Sequence, residues 1–335
     1  MSEFKVIFVN WTKPYFHKNE ADGYNKLKLA ELDSKEYDMV SYELKINETA
    51  VRCARKFINA PIKLFTDSIG YEFYKKHNLL ELFDEIDTDV LDEYNKLNVN
   101  AGKFWTSGKS IAIGNQEAPF LFLDNDFIVK SKLPDWVYDY DLVHTHWEIQ
   151  RGDFFVSHDM VNELGYEIPN FNQNMLMPNT SFVFMNNDEL RKAYLKSHLH
   201  IVNRKHKKIP EWLWLLTDQG IMGYEARNLN CKVASIEDKI YLSYWESHDL
   251  KKACGYTPMW VLLEKEYTEN NGPDGFDKEL YLKQEKLEYY HVWFDKFMMK
   301  TNFKWRLEKL EELDMILKEK DIYDKEIPND TRRIL

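Results

Sequence analysis

The stretch Ala118-Pro119-Phe120-Leu121-Phe122-Leu123-Asp124-Asn125-Asp126-Phe127-Ile128-Val129-Lys130 decides how the rest of the chain is read. Four consecutive apolar residues, Phe120 to Leu123, predict a strand covered on both faces, because only such a strand is apolar at every position. It runs into two carboxylates one residue apart, Asp124 and Asp126. Side chains on a strand repeat every second residue, so continued strand geometry would point both the same way. Paired carboxylates at the end of a buried strand repel each other, and a divalent cation with a preference for oxygen ligands, Mg²⁺ or Mn²⁺, removes the repulsion. The alternative is a polar turn, since Asp and Asn are common turn residues.

Working outward, the pattern alternates. A strand is expected over 5–9, followed by a loop carrying Trp11 and Pro14. A helix is expected over 41–57, a second strand over 62–65, and a helix capped from Thr66-Asp67-Ser68. A third strand at 83–86 and a helix over 103–113 lead into the Asp-rich strand. Further strands are expected at 141–146 and 181–185, then a helix from 188 to about 199. Strands alternating with helices predict an α/β fold with a Rossmann-like, largely parallel sheet flanked by helices. In such sheets ligands bind beyond the carboxyl ends of the strands, where Asp124 and Asp126 fall. The clearest turn cluster, Asn270-Asn271-Gly272-Pro273-Asp274-Gly275, divides a domain over 1–269 from a segment over 270–335. That segment reads as helical, with Phe303, Leu307, Leu310 and Leu317 near one face.

Composition narrows the classes. The 335 residues are 44% hydrophobic and 30% charged, with 15% aromatic residues, enough for a substantial core. A net charge of −11 argues against a general non-specific nucleic-acid binder. The three cysteines, Cys53, Cys231 and Cys254, lack zinc-site spacing and read as reduced. Neither a leader-like start nor a stretch near 20 apolar residues is seen, so a cytoplasmic protein without a membrane span is expected.

With the motif in this setting, the chain resembles GT-A fold glycosyltransferases, and more closely a bacterial and viral group of GT-A-like proteins. The resemblance rests on Leu64-Phe65-Thr66-Asp67, on Trp105-x-x-Gly108-Lys109 and on Gln116-x-x-Pro119-Phe120-Leu121-x-Leu123-Asp124-x-Asp126, within roughly the first 220 residues. It implies a nucleotide-sugar donor, a UDP-sugar foremost, held with Mn²⁺ or Mg²⁺. It makes Asp126 the more direct metal ligand and Asp124 a contact shared between metal and ribose. His291-Val292-Trp293-Phe294-Asp295-Lys296 resembles the His-x-x-Gly-x-Lys element of that family, with Phe294 in place of Gly. This makes His291 the third ligand, with His248 as competitor, and puts Lys296 on the diphosphate. Trp11 and Asp67 fall in the loops where the nucleobase lies, Asp67 alternatively being only an N-cap. Lys103 and Lys109 are placed to reach donor phosphates, or else form a solvated helix face.

Asn179, in Pro178-Asn179-Thr180-Ser181, is a donor-sugar contact or part of a polar turn. Asp218, in Thr217-Asp218-Gln219-Gly220, is a general base, an orienting group for the sugar, or a helix cap. The basic run Asn203-Arg204-Lys205-His206-Lys207-Lys208, followed by Glu211-Trp212-Leu213-Trp214, reads as a solvated loop before a core helix, or as a surface for DNA or another anion. Three functions follow: a metal-dependent glycosyltransferase acting on a glycan or small-molecule acceptor hydroxyl, the same chemistry on a DNA base, and a non-catalytic nucleotide-sugar-binding module.

Overall fold

The computed structural model describes residues 4–17, 35–39, 41–148, 177–204, 213–236 and 289–291. In chain order the elements are β1 (Lys5–Asn10), the short α1 (Lys13–Phe16), α2 (Ser41–Ile58), β2 (Ile62–Thr66), α3 (Ser68–Lys76), β3 (Glu85–Asp87), α4 (Asp89–Asn95), α5 (Ser107–Asn115) and β4 (Phe120–Leu123). There follow β5 (Phe127–Val129), β6 (Leu142–His144), β7 (Trp147–Glu148), β8 (Met177–Pro178), β9 (Phe182–Met185) and α6 (Asp188–Val202). A π-helical turn (Leu216–Gly220), α7 (Ile221–Asn228), β10 (Val233–Ser235) and β11 (Tyr289–His291) complete the order.

Seven strands form one sheet in the order β10-β6-β9-β4-β1-β2-β3. The pairs β1–β2, β1–β4, β2–β3 and β6–β10 are parallel, and β9 alone runs antiparallel to its neighbours β4 and β6. The α/β fold with a mostly parallel sheet and flanking helices, expected from the alternation, is therefore present. β4 lies near the centre between β1 and β9, and all four of its residues are buried, which is why it is apolar throughout. One apolar core, with Val6, Phe8, Leu64, Leu121 and Phe184, packs under α2. The other, with Ile7, Phe65, Phe120, Phe122 and Val183, packs under α5, α6 and α7. The alternation of Val6 and Ile7, or Leu121 and Phe122, between the cores is the period of two at work.

Differences from the expected elements are local. The loop after β1 contains α1, with Pro14 in its first turn, where proline's missing N–H costs no helical bond. The third strand begins two residues late, because Phe83 instead closes a 3₁₀ turn through its N–H to Leu80 O at 3.1 Å. The helix expected from residue 103 starts at Ser107; the residues before it form turns. Beyond Leu123 the chain makes a tight turn and re-enters as β5, which pairs antiparallel with β11. The 269/270 boundary and the face formed by Phe303, Leu307, Leu310 and Leu317 lie outside the described residues. Among the described residues no helix is long and apolar enough to cross a membrane.

Candidate active site

The two carboxylates sit where β4 meets the edge of the sheet. Asp124 to Phe127 is a β-turn, closed by Phe127 N–H to Asp124 O at 3.0 Å. The backbone alternative of a polar turn is thus realised, and strand periodicity does not set the relation of Asp124 to Asp126. What a solvated turn would not have is burial. Asp126 is only 5% exposed, and the Asp124 side chain is 28% exposed. The turn is pinned on both sides: Asp124 N–H donates to Ser181 O at 2.8 Å, and Asn125 Nδ2 donates to Val9 O at 2.8 Å. It therefore presents two hard oxygen ligands of the kind Mg²⁺ and Mn²⁺ take. Among the described residues no group of three or more His, Cys, Asp or Glu that could hold a metal ion converges.

Lys109 faces this turn from the first turns of α5. Its Nζ lies 2.9 Å from Asp218 Oδ2 and 3.5 Å from Asp124 Oδ1, and it donates to Thr180 Oγ1 at 2.9 Å. Thr180 Oγ1 donates in turn to Asp218 Oδ1 at 2.7 Å, closing a ring of Lys, Thr and Asp. Burial alone would push the Lys109 pKa down; the carboxylates of Asp124 and Asp218 more than offset it and hold the pKa above the ordinary lysine value. Lys109 is therefore a fixed positive charge at the site and not the solvated helix-face residue of the alternative reading.

Asp218, 1% exposed, sits inside the π turn. A π turn widens the helix and leaves a main-chain carbonyl in need of a donor. His198, fully buried on α6, places Nδ1 2.9 Å from Thr217 O. Because a carbonyl only accepts, Nδ1 carries the proton, and Nε2 is buried with no hydrogen-bond partner among the described residues. Burial pushes the His198 pKa down to about 4, so the ring is neutral near pH 7. Tyr194, one turn earlier on α6, ties to α5 through its hydroxyl to Ser110 Oγ at 2.7 Å.

The β1 and β2 loops form the other half of the edge. Asp67 caps α3 by accepting from Gly70 N–H at 2.9 Å; it also accepts from Thr12 N–H at 3.0 Å, Thr12 Oγ1 at 2.8 Å and Asn95 Nδ2 at 3.2 Å. The N-cap role is real, and the same carboxylate ties the two loops together. Trp11 donates from Nε1 to Asn95 Oδ1 at 2.7 Å and packs against Gly108, where an added Cβ would lie 2.4 Å from Trp11 Cβ. Asn179 accepts from Ser181 N–H at 3.1 Å and Ser181 Oγ at 2.6 Å, making the polar turn that delivers Thr180. Lys103 is half-buried in the turns before α5, its N–H on Asn100 Oδ1 at 2.9 Å.

Lys296, His248 and residues 205–208 lie outside the described residues, and Arg204, just past the end of α6, has its guanidinium 2.9 Å from His200 Nε2. The backbone of His291 pairs in register with Phe127, the residue after Asp126. Sequence reasoning missed Asn95, Thr180 as the link between Lys109 and Asp218, and His198. Thr180 had a signal, its place directly beside Asn179; a lone His or Asn on a helix has none.

Fold and site together define an α/β protein with a lysine-bridged carboxylate site at the carboxyl edge of its sheet. The chain belongs to DUF6734, a family of unknown function whose pattern matches residues 11–240. No curated protein matches it. Among solved structures it is similar to the glycosyltransferase GlyE of Streptococcus pneumoniae TIGR4, at 13% identity over 71% of this chain and 46% of that one, with a TM-score of 0.34. It is also similar to the PaToxG glycosyltransferase, at 11% identity over 76% and 79% with a TM-score of 0.38. The galactosyltransferase LgtC, solved with donor and acceptor sugar analogs, aligns at 13% identity over 69% and 73% with a TM-score of 0.34. The chain thus spans less than half the length of the GlyE chain.

Proposed function

We propose that the protein is a GT-A-type glycosyltransferase that takes a sugar from a nucleotide-diphosphate donor, a UDP-sugar foremost, to an acceptor hydroxyl. The observation that carries this reading is the Lys109 ammonium fixed between Asp124 and Asp218 beside the buried Asp126 carboxylate. Breaking a sugar–phosphate bond leaves negative charge on the departing diphosphate, and fixed positive charge in a site sheltered from water stabilises it. In this reading Lys109, held by two carboxylates and by Thr180, supplies that charge together with a divalent cation on the Asp124–Asp126 turn. Asp218, with Oδ1 on Thr180 and Oδ2 on Lys109, acts in this reading through the lysine it orients. Asp124 and Asp126 would hold a divalent cation with His291 as a further ligand, and the cation would supply Lewis-acid stabilisation of the leaving diphosphate. Trp11, packed beside Gly108 and Tyr94, forms the wall of the nucleotide end.

Calorimetric titration with UDP-sugars, with and without Mn²⁺, tests the proposal. Metal-dependent binding is expected in the wild type and is expected to fall by at least about tenfold in Asp126→Asn, equivalent to about 1.4 kcal/mol. Binding that ignores both Mn²⁺ and the substitution defeats the metal-dependent reading. Binding without any turnover of donor, across acceptors, makes the protein a nucleotide-sugar-binding module.

A further inference from the structure

Trp105 and Trp214 are far apart in sequence and meet at the carboxyl edge of the sheet. Their ring centroids are 5.1 Å apart and their planes are inclined by 45°. Trp105 directly precedes Thr106, the N-cap of α5, and stands four residues, about one helical turn, before Lys109. Because α5 leads into the start of β4, its own start lies at the edge where β4 ends. Trp214 precedes Asp218 by four residues on the helical run that enters the π turn, about 6 Å along the axis. α5 packs against that π turn, and the 2.9 Å Lys109–Asp218 pair joins them. The paired indoles thus stand one helical turn before the two partners of the charged pair, Trp105 before Lys109 and Trp214 before Asp218.

Both rings are half-buried, and both stay outside the two apolar cores, whereas Trp11 and Trp136 pack into them. Among the described residues each indole packs on the other, and neither indole N–H has a partner. A large aromatic side chain contributes most when it is fully buried, so two indoles left half-buried outside both cores, at helical spacing from a charged pair, call for an occupant. That occupant must offer an apolar face to the rings and hydrogen-bond acceptors to the indole N–H groups. A pyranose does both: its C–H face lies on aromatic rings and its hydroxyls point outward along the edge. A planar base would be matched best by stacking on a single plane or between parallel ones.

We propose that Trp105 and Trp214 form the acceptor subsite and that the acceptor is a glycan whose terminal hexopyranose stacks on this pair. The proposal rests on the glycosyltransferase reading for the word acceptor, but the sugar site itself does not. The test uses the full chain, with methyl glucopyranoside, methyl galactopyranoside, methyl N-acetylglucosaminide, lactose and a short oligothymidylate as probes. Saturation-transfer NMR reads which probe protons touch the protein, and calorimetry with UDP and Mn²⁺ reads the donor side in the same samples. At least one glycoside is expected to bind through its ring C–H protons. Trp105→Leu and Trp214→Leu should each weaken it by about tenfold, the upper range for an aromatic stacking contact. Trp105→Phe and Trp214→Phe should keep part of the binding, and these variants carry the test if a leucine variant fails to fold by circular dichroism. Trp136→Phe, packed against Tyr140 away from the site, should leave it unchanged. The proposal is overturned if no glycoside binds the wild type, if the Leu and Phe variants bind as well as the wild type, or if it is oligothymidylate binding that the tryptophans support. Glycoside binding that depends on the pair, in a protein that does not bind UDP with Mn²⁺, keeps the sugar site and removes the glycosyltransferase.

Discussion

Asp218 is 1% exposed, and its charge is tolerated only because Lys109 and Thr180 engage its two oxygens. Removing one partner of a buried ion pair leaves the other charged and dry, which costs on the order of 3–5 kcal/mol, far more than the pair itself contributes. Lys109→Met is therefore expected to lower stability by that amount in urea unfolding, and Lys109→Met combined with Asp218→Asn should recover most of it. Failure of the second change to compensate would mean that Lys109 is held by something other than this carboxylate. His198 makes a pH-dependent contribution. Its folded pKa, about 4, lies below the ordinary value of 6.5, so the unfolded chain binds its proton more readily. The stability it provides is present in full above about pH 6.5 and is lost as pH falls towards 4; it is of order 3 kcal/mol. Comparing His198→Asn, which keeps a donor for Thr217 O, with the wild type between pH 7 and 4 should show a shallower loss of stability in the variant.

At the scale of elements, Gly108 shows how tightly α5 is set against the β1 loop. A Cβ there would meet Trp11 Cβ at 2.4 Å, and both partners are anchored, Trp11 by Asn95 and α5 by Tyr194. Gly108→Ala is expected to lower the melting temperature, with an overpacking cost of about 1–3 kcal/mol; a neutral effect would show that the Trp11 loop yields easily. The elements legible in the sequence are those whose cause is local. β4 announced itself by four apolar residues in a row, and α3 by the Asp67 cap. The sequence predicts the start of α5 four residues early because buried Phe104 stands at helical spacing from Gly108 and Ile111, whereas residues 101–106 form turns. The π turn at Asp218 has no local signature, since its width depends on His198 from another helix meeting Thr217 O. The acid pair was legible as chemistry but not as geometry: the turn was recognised as an alternative, and its burial comes from β9 and the end of β1, which only the fold supplies.

At the scale of the whole molecule, the question is how residues 289–291 bear on a site formed mainly by the first 220 residues. β11 pairs with β5 so that Tyr289 faces Val129, Tyr290 faces Ile128 and His291 faces Phe127, one residue from Asp126. Tyr289 is fully buried, stacks edge-on against Phe182 at 6.1 Å between centroids, and donates its hydroxyl to Lys132 O. It is the apolar anchor of this pairing, and the register it fixes decides which residue lies opposite Phe127, because a slip by one would bring a neighbour there instead. If His291 is a metal ligand, the two residues must then differ in how they fail. Tyr289→Ala is expected to cost about 3–5 kcal/mol, as for other large buried aromatics, and to weaken Mn²⁺ binding together with stability. His291→Ala should leave the melting temperature of the metal-free protein unchanged while reducing the upward shift that Mn²⁺ produces, since a ligand stabilises only in proportion to its affinity for the folded state. An unreduced Mn²⁺ shift in His291→Ala would remove His291 from the site and leave β11 as a structural strand beside it.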